Sequence, residues 1–148
     1  MKFVIQRVSK ATVIIDDIIY SSINEGILLL VGIEDNDNDS KLIYYTKKIV
    51  NMRIFNDSHG KMNCSLLNTK GSILVVSQFT LCANTRKGNR PSFKNAMEPK
   101  GALYLFNQLK EELSKFTNLQ TGQFGAMMEV NLLNDGPMTI MLNTNNEN

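Results

Sequence analysis

The sequence predicts a single-domain α+β protein, and three observations carry that expectation. Short apolar runs bounded by turn residues, such as 26–33 and 73–76, read as buried strands. Two stretches, one after residue 40 and one after residue 98, repeat apolar residues at helical spacing and read as the two main helices. The 148 residues contain no internal repeat and no linker rich in Gly, Ser or Pro, so they form one core.

Taken in order, residues 3–8 alternate as a strand, with Phe3 and Ile5 on one face and Val4 and Val8 on the other. Arg7 falls on the face of Phe3 and Ile5, where an arginine is either a strand-end residue or a buried donor holding something in place. Residues 12–15 and 18–22 flank Asp16-Asp17 and read as a hairpin. The run GILLLVGI at 26–33 is nearly continuous, as expected of a central strand buried on both faces. Residues 34–40 are acidic but lack the glycine and closing glutamate of a calcium loop. They read as a loop and helix N-cap, with acids at the positive end of the helix dipole.

Leu42, Tyr45 and Ile49, beside Thr46 and Val50, define the first helix face. Residues 53–55 form a short strand, 56–60 a turn, and Lys61-Met62 resume the pairing. His59 belongs to that turn and reads as solvated, not as a general base. Glu98-Pro99 opens the second helix, whose core stripe is Ala102, Leu105, Phe106, Leu109, Leu113 and Phe116. Strands follow at 119–124, 127–133 and 137–142, the last two separated by a turn at Asn134-Asp135-Gly136. The domain spans residues 1–143 on this reading, and 144–148 form a polar tail expected to fray.

A net charge of +2 is too small to mark a general nucleic-acid binder, so any basic surface is local. Cys64, Cys82 and the single His59 have no metal-ligand spacing, which argues against a structural zinc. Free thiols and the lack of an uninterrupted apolar leader point to a cytoplasmic home, and no run approaches the length of a membrane span.

Two stretches can carry chemistry. In Ser77-Gln78-Phe79-Thr80-Leu81, polar side chains appear where the 73–76 strand ends. On a continued strand, Ser77 and Phe79 share one face and Gln78 and Thr80 the other. The residues alone leave two readings, a strand running out into a polar loop or a site fixed by the sheet. In Asn134-Asp135-Gly136-Pro137-Met138-Thr139, Asp-Gly reads as an ordinary hairpin turn, yet Pro137 removes a ladder donor at a strand start. If the Gly136–Pro137 bond is cis, the backbone carbonyls there point in an unusual direction. A third segment, from Cys82 to Lys94, is basic: Arg86, Lys87, Arg90 and Lys94 lie in a loop with no acid. It is either a solvated loop or a phosphate contact at the mouth of a site. The chain has no GxSxG elbow, no Gly-rich phosphate loop and no paired carboxylates at strand ends. A site built from the remaining groups can orient a substrate and stabilise an oxyanion, but it needs a labile substrate or one that supplies its own catalytic group.

The segments IQRV, RIF, GKMN, VVSQFTL, RPSF, TGQFGAMM and NDGPMT together closely resemble the D-aminoacyl-tRNA deacylase (D-tyrosyl-tRNA(Tyr) deacylase) family, in its order and spacing from about Met1 to about Leu142. The resemblance implies a mixed, largely antiparallel, barrel-like sheet and a homodimer with sites at the subunit interface. It implies hydrolysis of the ester joining a D-amino acid to the 3′ end of tRNA, without a cofactor, as translation proofreading. Ser77, Gln78, Phe79 and Thr80 then line the pocket of one subunit. Gly136 and Pro137, with a cis bond, reach in from the other and reject L side chains, while glycyl-tRNA mischarged on tRNA(Ala) is also cleaved. Arg7 matches the arginine that holds the Gly-Pro segment, and Phe124, Met127 and Met128 match the segment that holds the terminal adenine. Arg86, Lys87 and Arg90 are expected on phosphates from their charge. Backbone N–H groups near Phe79 and Thr80 would meet the oxyanion, with the terminal ribose 2′-OH assisting the water and Thr80 only positioning. Two competing readings are a non-catalytic RNA- or adenosine-binding module on the same fold and a serine-type esterase.

Overall fold

The computed structural model describes residues 1–145. Its centre is the strand β1 (Lys2–Ile15), which runs unbroken through both segments expected at 3–8 and 12–15. No Gly, Pro, Asn or Asp stands between Val8 and Thr12, so the chain continues and the pairing absorbs the irregularity as a register shift between Val8 and Lys10. β2 (Ile18–Ile23) folds back through the expected hairpin, and Asp16 and Asp17 both take positive φ (50° and 61°). Two left-handed residues match the twist of the flanking strands, and Asp tolerates that region better than most residues.

β3 (Gly26–Gly32) pairs antiparallel with the first half of β1 and parallel with β6 (Ser72–Ser77), which pairs parallel with β7 (Leu119–Thr121). The crossover from β3 to β6 holds α1 (Leu42–Asn51), the small β4 (Phe55–Asn56) and β5 (Met62–Cys64) pair, and the one-turn α2 (Leu66–Thr69). The crossover from β6 to β7 holds α3 (Pro99–Ser114), capped by Glu98 as expected, whose carboxylate accepts from Gly101 and Lys100 N–H at 2.6 and 3.0 Å. Alternation along β3 and β6 divides the core. Ile27, Leu29, Ile73 and Val75 face Tyr45 and Ile49 of α1 and Phe106 and Leu109 of α3. Leu28, Leu74 and Val76 face inward with Val8, Val13 and Ile23. β2 curls over the far edge, where Ser21 Oγ donates to the Thr121 carbonyl at 2.8 Å, so the mixed sheet is nearly closed and barrel-like. The fold is a single α+β domain with two main helices, as the sequence predicts.

Four expectations need correction. The strand expected at 53–55 is shorter and shifted to Phe55–Asn56, and the strand expected at 119–124 shrinks to Leu119–Thr121. The turn expected at Asn134–Gly136 does not reverse the chain: β8 (Glu129–Asn143) is one strand, and both halves pair with β1. Gln6 faces Thr139 and Val8 faces Asn134, so a two-residue step on β1 meets a five-residue step on β8 and the surplus bulges out. The tail does not fray at 144–145: it follows Asn143, the end of β8, and buried Thr144 accepts at Oγ1 from the Met1 amino group at 2.6 Å and donates its N–H to the Met1 carbonyl. The rest of the expected tail, 146–148, lies outside the described residues.

Candidate active site

The fourth correction concerns the Ser77 segment. β6 stops at Ser77, and Phe79–Cys82 form a single 3-10 turn, so the strand alternation expected through Thr80 is lost. Gln78 N–H ends the ladder by donating to the Val31 carbonyl at 2.7 Å. The turn can then fold against the end of β3 because Gly32 is there: a Cβ on it would stand 2.8 Å from Leu81 Cβ. Cys82 anchors the far end, buried, with Sγ 3.4 Å from the Ile33 carbonyl. Burial, with the Glu34 charge second, pushes its thiol up to about 11. Cys82 is therefore a packed anchor and not a nucleophile.

Ser77, Gln78, Phe79 and Thr80 line one side of a cleft of about 480 Å³, and Phe124, Met127 and Met128 line the other. The structure thus brings together two of the four groups singled out from the sequence. Gly125, at φ 77°, turns the chain over the opening, and Gly122 leaves room for the Met128 sulfur. No lining side chain is ionisable. Gln78 Nε2 donates to Thr80 Oγ1 at 2.5 Å, which leaves the Thr80 O–H as a donor towards the cleft. The opening N–H groups of a helical turn have no partner within it, and among the described residues no backbone carbonyl takes those of Phe79 and Thr80. The arrangement offers donors and an aromatic wall, with no base.

A second, more apolar slot shares Phe79 and Phe124 with the cleft and is completed by Phe93, Ala96, Met97, Glu98, Pro99 and Ala102. Sequence reading missed this slot. Only the return of the loop after Cys82 brings Phe93 to Phe79, with ring centroids 5.1 Å apart and edge-to-face.

Arg86, Lys87 and Arg90 do not line the cleft. They are exposed on a loop closed at its root by Asn84 and Ser92, which exchange N–H···O bonds of 2.8 and 3.0 Å. Gly136 and Pro137 are also outside it, exposed on the β8 bulge, and their peptide bond is cis. Arg7 holds the bulge from behind. It is buried, and its Nε lies 3.0 Å from the Asp135 carbonyl and 2.8 Å from the Asp135 carboxylate, while Nη1 donates to the Ile54 carbonyl at 2.6 Å. Asn134, to which the sequence reading gave no role beyond the turn, ties the bulge's base: its Nδ2 donates to the carbonyls of Arg7 and Met138. Arg7 stands opposite Ile27, Ile27 opposite Ile73, and Ser77 lies four residues further along β6. The bulge is therefore displaced from its own cleft by roughly 13 Å along the strands, and it lies on the far side of β1 from β3.

His59 is exposed in its turn, as expected, and Asp57 organises that turn by accepting from the N–H groups of His59 and Lys61. Among the described residues no group of His, Cys, Asp and Glu could hold a metal, and no helix is long and apolar enough to cross a membrane.

Fold and family together place the chain among hydrolases that act on aminoacyl-tRNA. It belongs to the D-Tyr-tRNA(Tyr) deacylase family, whose model matches residues 4–143. Among solved structures it is similar to one described as c-Myc DNA Unwinding Element Binding Protein, at 40% identity and TM-score 0.92, covering 97% of this chain and 99% of that one. It also shares its fold with a probable eukaryotic D-amino acid tRNA deacylase, at 16% identity and TM-score 0.82, covering 95% of this chain and 97% of the other.

Proposed function

We propose that this chain hydrolyses the ester of D-aminoacyl-tRNA as a cytoplasmic homodimer, without a cofactor, and that it also clears glycyl-tRNA mischarged on tRNA(Ala). The observation that carries the reading is the division of labour between cleft and bulge. The cleft has oxyanion donors but nothing that senses chirality, and Gly136-Pro137 faces outward, away from its own cleft. A second copy joined through the exposed β8 surface would supply the missing wall. Leu133 and Met141 on that strand are 66% and 75% exposed, more than a monomer needs.

In this reading Phe124, Met127 and Met128 hold the terminal adenosine, and Arg86, Lys87 and Arg90 meet phosphates. Water, assisted by the ribose 2′-OH, adds through its oxygen to the ester carbonyl carbon. The Phe79 and Thr80 N–H groups hold the carbonyl oxygen as it takes up negative charge. The carbon–O3′ bond then breaks, the proton passes to the departing 3′ oxygen, and free D-amino acid and tRNA result. Thr80 positions the substrate. The partner's Gly-Pro carbonyls face the α-carbon and leave no room for an L side chain, whereas glycine has none to reject.

The test is hydrolysis of matched D- and L-tyrosyl-tRNA. Rapid loss of the D ester alone is expected, and equal loss of both would remove the chiral filter from the account. A binding-only reading has two observations in its favour: the 40% identical structure is described as binding DNA, and this chain carries its own basic loop. Retention of tRNA or duplex DNA with no turnover of either ester would favour it.

A further inference from the structure

We infer that Phe93 is a positioning residue that holds Phe79, and through it the two N–H groups that open the catalytic turn. The inference rests on the deacylase reading for its kinetic consequence and on the free protein for its structural one.

The turn is anchored at both ends, and in its middle Thr80 is bonded at Oγ1 by Gln78 and at its carbonyl by Ala83 N–H, while Phe79 relies on its ring. Gln78 is fixed by its bond to Val31 and Cys82 by burial, whereas Phe79 and Thr80 are exposed. Phe79 is 59% exposed, and its ring meets that of Phe93 edge-to-face. Phe93 is suited to serve as the fixed partner. Ser92, just before it, is bonded both ways to Asn84, and the Phe93 carbonyl accepts from Ala96 N–H at 3.0 Å. The chain then returns to the body of the fold: Asp35 N–H donates to the Asn95 carbonyl and Met97 N–H to the Ile33 carbonyl, at 3.1 and 3.0 Å. Residues Ile33 and Asp35 directly follow β3, on which the turn itself rests. The ring of Phe93 is thus mounted on the same strand end as the turn, by a separate route. An oxyanion site works only if its donors are in place before charge develops, and this ring contact adds a restraint on Phe79, whose N–H has no backbone partner among the described residues.

Two measurements test this. The first is amide relaxation of the free protein, in which Phe93→Ala and Phe93→Leu should raise the mobility of the Phe79 and Thr80 amides, and Phe93→Tyr should not. The second is steady-state cleavage of D-tyrosyl-tRNA. An aromatic pair of this kind is worth a factor of about two to ten, so Phe93→Ala should lower kcat by that factor with little change in KM, and Phe93→Tyr should restore it. Unchanged amides would overturn the inference whatever the kinetics, and so would a raised KM at constant kcat, which would make Phe93 only a wall for the substrate. Loosened amides in a protein that cleaves no D ester would leave the positioning contact standing and remove the proposed function instead.

Discussion

The Phe79–Cys82 turn and the Asn134–Pro137 bulge are both places where a strand is interrupted, but they are held in opposite ways. The turn is folded inward against β3, anchored by Cys82 and Gln78, and it opens into a cleft formed by its own chain. The bulge is pushed outward from β1, and the groups that fix it, Arg7 and Asn134, leave Gly136 and Pro137 bare. A site that must hold a developing charge needs donors enclosed by their own framework. A segment that must be read by something else needs a rigid base and an open face. The difference fits our proposal that the first serves its own protomer and the second serves a partner.

The largest effect should come from removing the base of the bulge. Arg7→Ala leaves the carbonyls of Ile54 and Asp135 without their charged donor, and should lower unfolding stability by about 3 kcal/mol in urea denaturation. A loss below ~1 kcal/mol would mean the bulge holds itself. Next, Gly136→Ala should separate stability from selectivity. A Cβ there would meet Asn134 Oδ1 at 3.6 Å, an ordinary contact, so the melting midpoint should stay put. Cleavage of D-tyrosyl-tRNA should nevertheless fall on the order of a hundredfold if the methyl enters the partner's cleft. Unaltered kinetics would detach the bulge from the site.

On the side of the turn, Ser77→Ala and Thr80→Ala should each cost about tenfold in kcat, the scale of a lost positioning contact. Near-total loss in either would instead mark a nucleophile and favour the serine-type esterase. The smallest effect concerns Cys82. Its raised thiol pKa means that the folded chain keeps a proton which the unfolded chain releases above about 9. This contribution to stability is complete below that pH and fades as the pH rises towards about 11. In alkylation at pH 8 followed by mass spectrometry, half-buried Cys64 should be modified and Cys82 spared.

How far these regions were legible depends on the range of the forces that make them. Strands and helices that bury a face show their period, and so the 26–33 and 73–76 strands and the faces of α1 and α3 were readable. The candidate residues Ser77–Thr80, Phe124, Met127 and Met128 could be singled out from motif and resemblance, and the fold brings them into one cleft. Asn134-Asp135-Gly136 misled because the local signal for a hairpin is the same whether the next strand pairs with the last one or both pair with a third. Only the long-range partner β1 decides, and no short window contains it. Phe93 was illegible for a related reason, since its contact with Phe79 depends on how the intervening loop closes. The extra turn α2 was missed although its capping box, Ser65 with Asn68, was there to be read.

Among the described residues β8 pairs only with β1, so a strand of fifteen residues has an unpaired outer edge. Long, regular edges of this kind template the addition of further chains and seed fibrils. The Asn134–Pro137 bulge divides that edge into two short ladders, and Pro137 lacks the N–H that an incoming strand would need. The feature that we assign to reading the substrate thereby also protects the fold from uncontrolled stacking, and a variant with the bulge deleted to restore a regular β8 would be expected to gain ladder and lose solubility.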